Sequence, residues 1–528
     1  MIYLEVIEKC EEEDGMTNTT FASIDIGSRN LTMKIYEISP KEGYRQLDYV
    51  NVNMSIGAES YRTGIISMES LDEVCNVIQG FKMKMREYGV KEYRAYATSA
   101  LREADNKVFV LDQIYGRTGM KASILSNSEQ RFFMIKALAC NNPDYDKITV
   151  KNTAIVDIGG GSIQISLIDK GNLIATQNLK IGSIRVRNLL SDLEFRTTQI
   201  NKVLEEYVGN EIDTFKNLYL KEKEIKNVIV IGDEVNNLIK IVPELQIKDS
   251  LNQEQLAYIY EKLKQNKDTD IAYDYGISEE NASLLLPAVI MMSQFLTQSK
   301  AELIYTANID LCDGIVVDYM ERKKKYNINH DFNTDILAAA RNISKRYKCN
   351  KIHIQNVTEI ALKIFDAPDI KKIHGLGQKE RLQLQIAAIL HDCGKFINMS
   401  DSAQNSYNII MSTEIVGLSH VERQEVANIV RYNTKYLPGF DKIEDNLSII
   451  SYMKIAKLTA ILRIANGMDR SHKQKIQDIT LSVKEKQLII KAGTSEDITL
   501  EKGLFESKAK FFQNIYGILP VLKQEQKL

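Results

Sequence analysis

The chain has 528 residues, 44% of them hydrophobic and 26% charged, which excludes a disordered or fibrous protein and calls for roughly three or four domains. Lys and Arg number 68 against 70 Asp and Glu, a net charge of −2, so no global positive field exists to hold nucleic acid or a membrane, and any polyanion must be gripped locally. Six cysteines lie far apart, at 10, 75, 140, 312, 349 and 393, with no CxxC pair, as suits a reducing cytosol better than a disulfide framework or a zinc ribbon.

Residues 1–18 read as an acidic lead-in, and MIYLEVIEKCEEED lacks the basic start of a signal peptide. From Phe21 the pattern becomes strand, glycine turn, strand: FASIDIG, SRN, then LTMKIYEI with Leu31, Met33 and Ile35 alternating against Thr32, Lys34 and Tyr36. A third strand is predicted around Arg45–Met54, and helices over Leu71–Tyr88 and Glu129–Cys140. Near residue 153 the same grammar returns as TAIVDIG, GGS, IQISLID and LIATQNL, followed by a helix over Ile200–Leu218. The longest apolar stretch, Leu284–Leu296, contains Pro287 and Ser293 and is too short to span a bilayer. After the basic run Arg322–Lys325, read first as a solvated linker and second as a polyanion track, about 150 residues carry helical spacing, such as Val357, Ile360, Ala361, Ile364 and Phe365. Alternation resumes at Ile479. The division expected is an N-terminal extension (1–18), two lobes (19–141 and 142–322), a helical domain (323–475) and a small α+β tail (476–528) of a cytoplasmic protein.

Internal repetition decides the architecture. Two hairpins, each with an aspartate before a glycine turn, imply two similar α/β lobes facing a cleft, the actin-like (ribonuclease H-like) arrangement also found in sugar kinases. Glycine turns after strands matter because backbone N–H groups there can converge on one anion and only glycine lets the chain approach closely. The second turn offers Gly159, Gly160, Gly161 and Ser162; the first offers Gly27, Ser28, Arg29 and Asn30. Asp25 and Asp157, at the strand ends, cannot bind phosphate, so their natural role is to hold Mg²⁺ or its water shell.

YATSALREADN adds Ser99 and Arg102, and ILSNSEQRFF sets Ser128 and Glu129 at a helix start. With these stretches the chain resembles the exopolyphosphatase/guanosine pentaphosphatase (Ppx/GppA) family, in its long form with a C-terminal HD-like domain. The likeness runs from about Phe21 to the end. It implies hydrolysis of the terminal phosphoryl group of inorganic polyphosphate or of the 5′ end of guanosine pentaphosphate, Mg²⁺ dependence, and a homodimer. It aligns Glu129 with the carboxylate of the family's S-G-x-E-E-A-R segment, which would orient or deprotonate the attacking water. Arg102 would then neutralise phosphate oxygens. The chain departs from the family pattern in four places. Gln164 stands where a metal-binding Glu is usual, Arg29 lies inside the first turn, Gly232-Asp233-Glu234 replaces a G-G-T turn, and Cys312-Asp313-Gly314 replaces R-E-G. A member that binds polyphosphate or an alarmone without efficient turnover therefore stays open, as does a sugar-type kinase, against which the acidic 232–234 turn argues.

In the helical region His353 is followed 38 residues later by His391-Asp392. HD phosphohydrolases use H…HD…D to bind a divalent metal. Here Asn466 occupies the usual place of the last aspartate, Asp469 lies one turn on, and Asn405 and Asn433 stand where further histidines are often seen. A structural cluster of His353, His391, Asp392 and Asp469 is the preferred reading, and a second divalent metal the other. His330, His374, His420 and His472 are expected at the surface or at helix caps.

Overall fold

The computed structural model describes residues 18–193, 197, 199–220, 224–247, 250–323, 330–443, 447–476 and 478–525. The acidic lead-in up to residue 17, and Lys324 and Lys325 of the basic run, lie outside the described residues.

Two sheets carry the duplication. The first contains β1 (Thr19–Ile26), β2 (Asn30–Ser39), β3 (Gly43–Asn53), β4 (Glu92–Ala97) and β5 (Ala122–Ile124), in the order β3-β2-β1-β4-β5. The second contains β6 (Thr153–Ile158), β7 (Ile163–Asp169), β8 (Asn172–Leu179), β9 (Asn227–Ile231), β10 (Ser250–Asn252) and β11 (Leu303–Thr306), in the order β8-β7-β6-β9-β11-β10. In each, three antiparallel strands joined by tight turns continue into two parallel ones reached through helices; β10 adds an antiparallel edge to the second. Central strands β1 and β6 are buried on both faces, hence their nearly continuous apolar runs. The hairpin registers set Asp25 opposite Thr32 and Asp157 opposite Gln164, so these four are equivalent positions of one repeated unit.

Helices Asn127–Asn141 and Leu311–Lys323 pack together beside the first sheet, with Phe21 stacked on Tyr319 at 4.0 Å. The helix Glu279–Ser299 is long and apolar enough to cross a membrane, but 67% of its apolar window is buried inside the protein; core packing accounts for its composition.

Beyond residue 330 the chain is helical up to Gly467, with long helices at Phe332–Arg346, Lys351–Asp366, Gln378–Leu390, His420–Tyr432 and Ile449–Gly467. A three-stranded sheet of β12 (Asp478–Lys484), β13 (Gln487–Gly493) and β14 (Leu519–Glu525) follows, with helix Thr499–Tyr516. This region docks on helix Asn127–Asn141: Phe132 meets Phe332 edge-on, Arg131 pairs with Glu414 at 2.6 Å, and Ser128 Oγ donates to the Leu418 carbonyl. That helix is thereby held from two sides. Two of the four histidines expected at the surface or at helix caps stack on other rings, His374, at the end of its helix, on Phe365 and His472 on His353. His374 is buried and bonded to the Phe365 carbonyl, and the His472 and His353 ring centroids lie 3.7 Å apart.

Candidate active site

The two glycine turns close alike. Gly27 N–H donates to the Asn30 carbonyl and Gly159 N–H to the Ser162 carbonyl, at 2.9 and 3.0 Å. Each is braced by the first turn of a helix: Gly57 N–H donates to Ser28 O, while Ser183 and Ile184 N–H donate to Gly159 O and Gly160 O. The approach is so close that a Cβ on Gly57 or Gly182 would collide with the turn it braces, so glycine is required there by contact. The amide N–H groups of Ser28, Arg29, Gly160 and Gly161 take no acceptor among the described residues, which leaves them available to an anion. The turns face each other, since a Cβ on Gly160 would stand 2.8 Å from Ser28 Oγ. Between them lies a cleft of about 140 Å³, lined by residues that include Asp25, Ser28, Arg29, Ser99, Gln130, Asp157, Gly159, Gly160, Asp233, Glu234 and Asp310. A wider mouth adjoins it through Arg29, Asn30 and Asp233, rich in asparagines such as Asn51, Asn53, Asn236 and Asn308.

The floor is a ring of carboxylates. Burial raises Asp25 well above the usual carboxyl range, and neighbouring Asp310, Asp233 and Asp157 push it further. Its Oδ1 is buried without a partner among the described residues. Burial likewise moves Asp157 up to about 7, with Arg131 opposing and Glu234 and Asp233 reinforcing. Such a ring is short of positive charge, and hard oxygen donors of this kind fit Mg²⁺. An acid whose folded pKa is raised binds more protons folded than unfolded. For Asp157 the stability gained at low pH is therefore lost as pH rises from its ordinary 3.8 through about 7, by up to about 4 kcal/mol. In EDTA, the melting temperature is expected to fall between pH 5 and 8, and Asp157→Asn to flatten that slope.

Several expected site residues sit elsewhere or are already engaged. Arg29 is 7% exposed and bonded to Asp233 at 2.6 Å and Glu234 at 3.1 Å, so its charge is spent on the acidic 232–234 turn, and Asn30 also donates to Asp233. Glu129 does not line the cleft. Ser126 and Glu129 form a capping box in which the carboxylate accepts from Ser126 N–H and Oγ, and Glu129 lines a different cavity with Tyr96, Lys136 and Lys379. The next residue on the helix, Gln130, reaches the cleft. Arg102 lies behind it, donating to the Leu125 carbonyl at 2.7 Å and to Gln130 Oε1 at 3.3 Å, and so acts on the cleft only through Gln130. Ser99 Oγ shares a hydrogen bond with Tyr61 OH at 2.6 Å. Gln164 is 3% exposed beside Asp157 in the ladder, its Oε1 without a partner among the described residues. Gln130 and Asp310 escaped the sequence reading. The first was signalled by Ser126-x-x-Glu129, the spacing of a capping box, which commits Glu129 to its own helix end.

The second expected cluster assembles. His353, His391 and Asp392 bring ligand atoms within 4.8 Å of one another, and His353 Nδ1 meets Asp469 Oδ2 at 2.8 Å.

The Ppx/GppA phosphatase family model matches residues 39–323, and the model for Ppx/GppA phosphatase domain III matches residues 337–508. A bifunctional 3-dehydroquinate synthase/phosphatase of Fusobacterium nucleatum is 19% identical over 323 residues, 57% of this chain and 47% of that protein, so the chain spans about half of that relative's length. A guanosine-5′-triphosphate,3′-diphosphate pyrophosphatase of Vibrio atlanticus is 18% identical over 451 residues, covering 84% and 86% of the two chains. The crystal structure of an exopolyphosphatase from Cytophaga hutchinsonii superposes with a TM-score of 0.52 at 16% identity, over 59% of this chain and all of that one, which shows a shared fold. With one family model matching residues 39–323 and another residues 337–508, the chain is a member of the Ppx/GppA phosphatase family.

Proposed function

We propose that the chain is a phosphoanhydride hydrolase that releases orthophosphate from the end of inorganic polyphosphate, with guanosine pentaphosphate as the alternative substrate. The observation that carries this reading is the pair of braced glycine turns facing each other over Asp25 and Asp157. The exopolyphosphatase and pyrophosphatase names of similar proteins support it. In the reaction a water oxygen forms a bond to the terminal phosphorus, the bridging P–O bond breaks, and the water proton leaves to a base or to a phosphate oxygen.

Free amides of Ser28, Arg29, Gly160 and Gly161 bind the terminal phosphoryl oxygens, and the narrow cleft aligns the chain end for in-line attack. Asp25 and Asp157 would hold Mg²⁺, which supplies neutralisation of the phosphate charge. Gln130, steadied by Arg102, orients the water through its amide but cannot take up its proton. Turnover is therefore slower than with a carboxylate there, since general-base catalysis contributes about 10²–10⁴-fold. The neutral Gln130 is also what favours the second reading, a member that binds polyphosphate while hydrolysing it poorly.

Phosphate release from polyphosphate and from guanosine pentaphosphate, with and without Mg²⁺, tests the proposal. Gln130→Glu is expected to raise the rate at least about tenfold, and Glu129→Gln to leave it within about twofold. Tight polyphosphate binding with no Mg²⁺-stimulated release, gained only in Gln130→Glu, would select the second reading. No binding by either variant or wild type overturns both.

A further inference from the structure

Behind the cleft, one aromatic side chain reaches both glycine turns. Tyr61 lies on the helix Ile56–Thr63, whose Gly57 N–H braces the first turn by donating to Ser28 O at 2.7 Å. Ser60 Oγ on the same helix donates to the Ala100 carbonyl at 2.8 Å, which ties it to the helix Ser99–Glu103. From there the Tyr61 ring is laid against the second turn, so closely that a Cβ on Gly161 would collide with its hydroxyl oxygen. The Arg185 guanidinium covers the ring at 4.2 Å from its centroid, donates through Nε to the Gly161 carbonyl at 2.6 Å, and pairs with Glu103. The ring is thus confined between the two lobes, and the place of its hydroxyl is fixed.

That hydroxyl stands among other hydroxyls. Ser99 Oγ lies 2.6 Å from it, and the Ser28 side chain is its other hydroxyl neighbour. Ser28 and Ser99 both line the cleft, whereas Tyr61 stands behind them. Each hydroxyl has one hydrogen to give. Of two bonded hydroxyls the more acidic donates, and a phenol is more acidic than an aliphatic alcohol. Burial raises Tyr61 above its ordinary range, so the hydrogen stays on its oxygen at neutral pH. The cation over the ring face attracts its π electrons and makes the phenol a stronger donor. A separation of 2.6 Å, at the short end for O–H···O, sends the hydrogen to Ser99. Ser99 Oγ then accepts from Tyr61 and keeps its own hydrogen for an acceptor in the cleft. Hydrogen bonds joined head to tail reinforce one another, so an anion there meets a better donor than a lone serine.

We propose that Tyr61 is a positioning residue for the phosphate end: by donating to Ser99 Oγ it turns the Ser99 hydrogen onto a phosphoryl oxygen. This role rests on phosphoryl binding in the cleft, and it adds to the backbone amides a side-chain donor whose direction is set from behind.

The test is a double-mutant cycle on the full chain, with Tyr61→Phe, Ser99→Ala and the pair. It is read by calorimetric binding of inorganic tripolyphosphate and by kcat/KM for phosphate release with Mg²⁺. Tyr61→Phe removes one oxygen and leaves the ring in place. It is expected to weaken binding and lower kcat/KM about fivefold, the worth of one hydrogen bond, and Ser99→Ala to do at least as much. With Ser99 already replaced, Tyr61→Phe is expected to change either quantity by less than about twofold, because its acceptor is gone. A packing role for the phenol would instead cost the same in both backgrounds. If Ser99→Ala does not fold, Ser99→Thr, which keeps the acceptor, takes its place, and there Tyr61→Phe must again cost about fivefold. Equal losses in the wild-type and Ser99→Ala backgrounds, or no loss in Tyr61→Phe, overturn the role of Tyr61 and leave the cleft reading standing. Wild type that neither binds tripolyphosphate nor releases phosphate overturns both.

Discussion

Asp157→Asn is expected to lower Mg²⁺-stimulated phosphate release by about 10²–10³-fold, the several kcal/mol that a bound cation contributes by neutralising charge on phosphoryl oxygens. The substitution keeps the volume and removes only the negative charge at the mouth of the second glycine turn. The same variant is expected to melt at a higher temperature than wild type at pH 8 in EDTA, because burial and the neighbouring Glu234 and Asp233 disfavour the ionised Asp157 there. Lost activity together with raised metal-free stability marks a group kept for function at the expense of the fold. Unchanged release would sink the assignment of the reaction to this cleft.

Arg29→Met is expected to destabilise the protein by about 3–5 kcal/mol, the usual cost of leaving a buried charge without its partner. The partner that decides this is Glu234, whose side chain is 4% exposed; Asp233, at 49%, is solvated and adds little. Glu234 keeps its hydrogen bond from Ser183 Oγ at 2.6 Å, which does not supply a charge. Adding Glu234→Gln to Arg29→Met should recover most of the loss. Urea denaturation of the two single variants and the double variant measures the coupling. A loss below about 1 kcal/mol, the level of an exposed pair, would show that the cleft is wetter than the geometry indicates.

What the sequence made legible follows from the range of the interactions involved. The twin hairpins were readable because alternation and glycine turns are local, and the register that sets Asp25 and Asp157 at equivalent positions comes from turn length alone. The gathering of His353, His391 and Asp392 was readable only through the likeness to the H…HD…D pattern, since nothing local in the sequence joins positions 38 residues apart. The facing of Glu129 and Gln130 was misread: adjacent residues on a helix point about 100° apart, and the capping box at Ser126 decides which of them turns inward. Arg29 bonding to residues more than 200 positions away had no local signal. Neither did the Lys34 ammonium, which the packing of two lobes brings between Asp310 and Asp313.

Ion pairs stand among the bonds that join the two halves, Arg29 with Asp233 and Glu234, Lys34 with Asp310 and Asp313, Arg185 with Glu103, beside neutral donors such as Asn30 to Asp233 and Asn53 to Glu280. The two halves of the molecule are thus latched by the very kind of attraction a polyanion exerts. A phosphate chain entering the cleft as proposed would compete with the protein's own carboxylates for the guanidinium of Arg29, so entry and unlatching would become one exchange of anions. The more exposed of these latches weaken as ionic strength rises, and the ease of opening is thereby tied to the salt around the protein.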